Sequence, residues 1–172
     1  MKHKIFARHN GVIKDDRLPI ALIKRCVCFV LDFEGVDLPC EVSVLITDDN
    51  TIRAINNEFR GIDKATDVLS FPMIGFSPPG WVEPVSGEID PESGLIPLGE
   101  IVLSAQRVRG QAVEYNQSTN RETAYLVVHS VLHLLGYDHV DEGEGKRRMR
   151  AREKKIMSDL ALSNTPELNA DI

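Results

Sequence analysis

Residues 119–139, TNRETAYLVVHSVLHLLGYDH, decide the fold. Thr119 or Asn120 is placed to cap a helix. Glu122 stands in its first turn, where free amide groups and the positive end of the helix dipole favour an acid. Ala124, Leu126, Val127, Val128, Val131, Leu132, Leu134 and Leu135 then put apolar groups on nearly every side, up to Gly136. A helix that is apolar almost all round does not lie on a surface; it runs through the middle of a domain with other elements packed about it. Gly136 supplies the residue type that tolerates the left-handed backbone of a helix terminus.

Working outward, residues 41–47, EVSVLIT, alternate Val42, Val44 and Ile46 with Ser43, Leu45 and Thr47, a β-branched period of two that reads as a strand. Residues 67–71, DVLSF, stopped by Pro72, and residues 98–104, LGEIVLS, read as further strands, and residues 3–9 as a short first one. Residues 18–33 form a largely buried helix with Pro19 in its first turn. Asp48 or Asp49 caps a helix reaching Phe59 and ended by Gly61, with Ile52, Ile55 and Phe59 on one stripe. Helices are also expected from Ala105 to about Asn116 and from Glu142 to about Ala161. Residues 75–97 are dense in glycine and proline and read as a long loop. Strands and helices intersperse without repeats. The fold class is therefore α+β: a single domain over residues 1–162, one mixed β-sheet, and a central buried helix carrying two metal-ligand histidines. Residues 163–172 read as a flexible tail.

The bulk numbers narrow the function. At 172 residues the chain can bury one sizeable core. Its net charge of −6 provides no global basic field, so a polyanion would have to be held locally. Cys26, Cys28 and Cys40 are odd in number, and Cys26 and Cys28 are too close for a CxxC clip, so they read as small buried side chains in a reducing compartment. No apolar core follows the basic start MKHKIFARHN, and no run is long enough for a membrane span. The expectation is a cytoplasmic protein without membrane or DNA partners.

The chemistry lies in His129, His133 and His139, three of five histidines within eleven residues. Residues four apart on a helix share a face, so His129 and His133 can hold one ion at ~2.0–2.1 Å. The turn at Gly136 brings His139 back to the same point. Two unpartnered imidazoles in an apolar helix would be costly to bury, which weighs against coincidence. Three nitrogens leave a fourth position for water, the arrangement of catalytic zinc sites, and zinc lowers the pKa of water to about 7. Imidazoles also suit nickel or copper. The zinc-protease signature HExxH would place glutamate after the first histidine; here that position is Ser130, which disfavours that mechanism.

HSVLHLLGYDH resembles the HGxLHLxGYDH signature of the YbeY endoribonuclease family, the bacterial rRNA maturation factors. Residues 59–72, FRGIDKATDVLSFP, resemble that family's YRxxDKPTDVLSFP, and residues 98–104 resemble LGDIxIS. The three motifs agree in order and spacing, and the resemblance covers roughly residues 40–157. It implies metal-dependent cleavage of single-stranded RNA in maturation of the 16S rRNA 3′ end and in ribosome quality control. The implied partners are rRNA and the small ribosomal subunit or its assembly factors. The three histidines carry over as ligands of one divalent ion, zinc, and Arg60 as the catalytic basic residue facing the cleft. Ser130, Ala65 and Glu100 depart from the family's Gly, Pro and Asp. Ser130 is expected to narrow the cleft slightly, Ala65 to loosen a turn, and Glu100 to keep its carboxylate.

Other residues carry two readings each. Arg60 can clamp phosphate oxygens or simply complement a helix C-terminus. Tyr137 and Asp138 can support a ligand or make turn contacts. Thr66, Asp67 and Ser70 can line the cleft or satisfy strand-edge groups. Residues 146–155, KRRMRAREKK, hold seven bases and one acid, a solvated face or an RNA contact, with Met149, Ile156 and Leu160 facing the core. Two other functions compete: hydrolysis of another bond at the same site, and a ribosome-assembly binding protein with a structural metal.

Overall fold

The computed structural model describes residues 3–11, 15, 17–81, 88–139 and 143–162. The elements in chain order are β1 (Lys4–His9), α1 (Ile20–Phe33), β2 (Cys40–Thr47), α2 (Asp49–Arg60), β3 (Val68–Pro72), β4 (Ile96–Ser104), α3 (Ala105–Glu114), α4 (Thr119–Leu134) and α5 (Glu144–Leu162). The fold is α+β, with a single mixed sheet of order β1-β2-β4-β3 among the described residues. β1, β2 and β4 run parallel, and β3 closes one edge antiparallel to β4.

The period-two patterning places the two faces. Val42, Val44 and Ile46 of β2 join Ile101 and Leu103 of β4 in the main core, against α1 and α4. Leu45 and Val102 point the other way, into a smaller cluster with Leu69 and Ile52 under α2. As its composition demands, α4 has packing neighbours on several sides: α1, α3, α5 and the strands β3 and β4. Cys26 and Cys40 are fully buried core residues, and Cys28 is half-buried; all three are free thiols.

Element bounds differ from expectation where local chemistry is stronger than pattern. Ser118, not Thr119 or Asn120, caps α4: its side chain accepts from Arg121 N at 3.1 Å, and Asn120 lies inside the helix, buried. Pro19 is the residue before α1, in extended conformation, rather than part of its first turn. Asp48 caps α2 as expected, accepting from Thr51 N at 2.9 Å. Pro72 is the last residue of β3 and is paired with Gly99, so it ends the strand from within. The expected start of α5 at Glu142 and the expected tail at residues 163–172 lie outside the described residues, as do residues 82–87 of the long loop.

The strand read from Leu98 begins two residues earlier, at Ile96, because a bulge hides its first part. Glu41 pairs with Pro97, but Val42 pairs with Gly99, so Leu98 is an extra residue. The insertion flips the parity of β4, letting Leu98 and Ile101 both reach the main core. Gly99 has φ +145°, and a Cβ there would come within 2.2 Å of the Phe71 carbonyl oxygen and 2.9 Å of Leu134 Cδ2. Backbone cannot yield as a flexible side chain can. Gly99→Ala is therefore expected to destabilise the protein by about 3 kcal/mol, measured by urea denaturation, whereas a loss under about 0.5 kcal/mol contradicts the packing of the bulge against β3.

Candidate functional site

The three histidines meet because α4 ends as its sequence dictates. Gly136 takes φ +86°. Gly136 N donates to His133 O and Tyr137 N to Leu132 O, both at 3.0 Å, the paired bonds of a Schellman terminus. A Cβ on Gly136 would meet the Phe76 carbonyl oxygen at 2.6 Å, so this turn also needs glycine for space. Beyond it Tyr137 is buried and donates its hydroxyl to Glu34 Oε2 at 2.8 Å, anchoring the returning chain to the end of α1. Asp138 accepts from His139 N at 2.7 Å. Thus Tyr137 holds the turn, and Asp138 makes a turn contact with the backbone of His139.

The imidazoles converge. Nε2 of His129 and Nε2 of His133 are 3.1 Å apart, and one ring nitrogen from each of the three histidines lies within 4.8 Å of the others. Two nitrogens each ~2.0–2.1 Å from a tetrahedral ion would be about 3.3 Å apart. The donor set therefore fits a single divalent cation, which these three side chains could hold. His129 and His133 are half-buried, and His139 is exposed at the rim.

The ring chemistry favours the same use. Burial, reinforced by the neighbouring His129 and His139, pushes His133 down to about 4, so its ring is neutral near pH 7, the form that offers a lone pair to a metal. His129 Nδ1 lies 2.6 Å from Glu153 Oε1. A carboxylate accepts only, so Nδ1 carries the proton and Nε2 presents its lone pair toward His133. Glu153 is 6% exposed, and its other oxygen accepts from the Tyr125 hydroxyl at 3.3 Å. Beside that carboxylate, burial pushes the Tyr125 phenol up to about 12.

Sequence reasoning missed Glu153. It stands on the stripe Met149, Glu153, Ile156, Leu160, which faces inward. A lone acid on an otherwise apolar stripe, inside a basic run, was the available signal. The basic run itself divides. Arg148 pairs with Glu144, Arg152 with Glu34 and Lys155 with Asp159, while Arg150 and Lys154 line the cleft.

The histidines line an open cleft of about 1660 Å³ that Arg60, Thr66, Asp67 and Ser70 also line. Arg60 is the last residue of α2, exposed, and is placed there by the left-handed turn at Gly61. Asp67 accepts from Val68 N at 2.7 Å and Thr66 Oγ1 at 3.1 Å, so it ties the start of β3 as well as lining the cleft. Ser130 is fully buried and lies outside the lining, so it does not narrow the cleft as expected; its position on α4 turns it into the core. No helix among the described residues is long and apolar enough to cross a membrane.

Residues 8–161 match the family described as Endoribonuclease YbeY. Among curated proteins, the chain is 47% identical over 146 residues to the Endoribonuclease YbeY of Clostridium perfringens, covering 82% of this chain and 86% of that one. It is 44% identical over 156 residues to the Endoribonuclease YbeY of Clostridium acetobutylicum, covering 88% and 93%. A solution structure of a Thermotoga maritima protein shares the fold with a TM-score of 0.59, at 24% identity, over 98% of this chain and 97% of that one.

If Glu153 orients His129, Glu153→Gln should weaken zinc affinity about 10–100-fold in a competition titration with a chromogenic chelator. Unchanged affinity would show that the 2.6 Å contact does not orient the ring.

Proposed function

Since the chain belongs to the Endoribonuclease YbeY family, we propose that it is a metal-dependent endoribonuclease acting on single-stranded RNA, with one zinc ion held by His129, His133 and His139. The observation that carries this reading is the convergence of three imidazoles in an open cleft that the guanidinium-bearing Arg60 also lines. A structural zinc site is usually closed by four protein ligands, whereas three nitrogens beside open space suit catalysis.

The residues divide the work. Glu153 fixes the tautomer and ring angle of His129, and the Schellman turn delivers His139. When bound, a divalent ion supplies the Lewis acidity that polarises a phosphate ester and acidifies water. Arg60 binds the phosphate in the cleft: its planar fork matches two phosphate oxygens, and its charge meets the negative charge that grows at phosphorus. Arg150 and Lys154 add cationic groups along the α5 wall, so a chain of net charge −6 still offers RNA a locally basic surface. Hydrolysis of a peptide bond at this site is disfavoured because Ser130 is buried and cannot act as the missing base.

The finer role follows from the family's place in the cell. The substrate is the 3′ end of 16S rRNA during small-subunit maturation and ribosome quality control, in the cytoplasm, with the small subunit or its assembly factors as partners. Support for this is the agreement of three sequence motifs with that family, in order and spacing.

Chelation should abolish cleavage of a labelled single-stranded rRNA fragment, and zinc should restore it. Arg60→Ala should lower kcat/KM about a hundredfold while zinc content stays at wild-type level. Full activity in the chelated protein, or in Arg60→Ala, is the result against this reading.

A further inference from the structure

The cleft continues past the imidazoles toward the start of α4, and the side chains there are not among the three that could ligate a cation. Tyr125 and Glu122 precede His129 by four and seven residues on the same helix face. At about 1.5 Å of rise per residue, Glu122 lies about 10 Å along the axis from His129. The end of α3 brings Gln111 and Tyr115, and the next turn brings Gln117; all line this part of the cleft. Tyr115 is 60% exposed and Tyr125 36%, two large aromatic side chains open to solvent beside the site.

The two glutamines are oriented by carboxylates. Gln111 Nε2 donates to Asp67 Oδ2 at 3.0 Å, and Gln117 Nε2 donates to Glu122 Oε2. A carboxylate only accepts, so each amide must turn its NH2 group toward it, which fixes the flip and leaves the amide carbonyl as the group free to accept. Asp67 and Glu122 therefore act as anchors, and the acceptors offered to a ligand are the carbonyl oxygens of Gln111 and Gln117.

From this arrangement we propose that this end of the cleft is a nucleobase subsite for a base with an exocyclic amino group, seated beside the phosphate that Arg60 holds. The proposal rests on the ribonuclease reading above and deepens it. Tyrosine faces stack on any base, and only an unpaired base can be turned out to reach them. The oriented acceptors supply the choice. An amino group on cytosine, adenine or guanine can donate to them, whereas the carbonyl of uracil at the equivalent position would oppose them, oxygen against oxygen.

The test compares labelled oligocytidine and oligouridine of equal length, which share a ring size and differ in the amino or carbonyl group at C4 and in the proton on the neighbouring N3. In a homopolymer every phosphate has the same flanking base, so the cut position need not be known. With zinc-loaded full-length protein, kcat/KM for oligocytidine is expected to exceed that for oligouridine by about fivefold or more. Gln117→Ala should bring the ratio close to one, and Tyr115→Ala should lower both values about fivefold or more, with zinc content unchanged in each. Should neither oligomer be cut, fluorescence anisotropy on the same protein reads the same ratios as affinities. Equal values for the two oligomers, or unchanged values in Tyr115→Ala, overturn the subsite and leave the ribonuclease reading standing. Neither cleavage nor binding of either oligomer overturns both.

Discussion

An imidazole set into a largely apolar helix has two ring nitrogens to satisfy. That requirement organises the site described here. His129 meets it on one side through Glu153, 2.6 Å away on α5, and on the other through His133, whose Nε2 lies 3.1 Å off. Two facing lone pairs are in turn tolerable only with a shared cation or proton between them. The turn that follows α4 brings a third ring to the same place. The packing of α5 on α4, the glycine terminus and the Tyr137–Glu34 anchor all serve to keep three nitrogens together.

The same geometry separates duties within the cleft. The imidazoles come from α4 and the turn after it, the guanidinium of Arg60 from the end of α2, and the amide side chains from the end of α3 and the turn that precedes α4. A phosphodiester chain alternates charge with flat bases, and the cleft is lined by both cationic and aromatic side chains. The net negative charge of the chain as a whole makes this local arrangement matter more, since attraction cannot come from net charge.

Much of this was legible in the sequence, and what was not has physical reasons. The apolar circumference of α4 gave away its central place, and the spacing of His129 and His133 their common face, because both depend on helical period alone. The left-handed terminus at Gly136 followed from residue type. The bulge at Leu98 was not legible: parity along a strand can be counted, but an inserted residue shows only when the partner strand is in view. The cap at Ser118 was missed because three adjacent residues, Ser118, Thr119 and Asn120, are all of cap-forming type, and sequence alone does not say which one the helix begins after. Glu153 was hidden by distance, since its partner lies 24 residues away and only packing brings them together. Ser130 was misjudged because the residue next to His129 in sequence points about 100° away around the helix, where it faces the core.

The most direct test purifies the full chain and a His133→Ala variant in parallel, and measures metal by mass spectrometry and cleavage of a labelled single-stranded rRNA fragment on the same preparations. The expected result is one zinc per chain and cleavage for the full chain, and loss of both in the variant with its helical circular dichroism preserved. A His133→Ala protein that keeps its metal, or that cleaves as fast as the full chain, would contradict it.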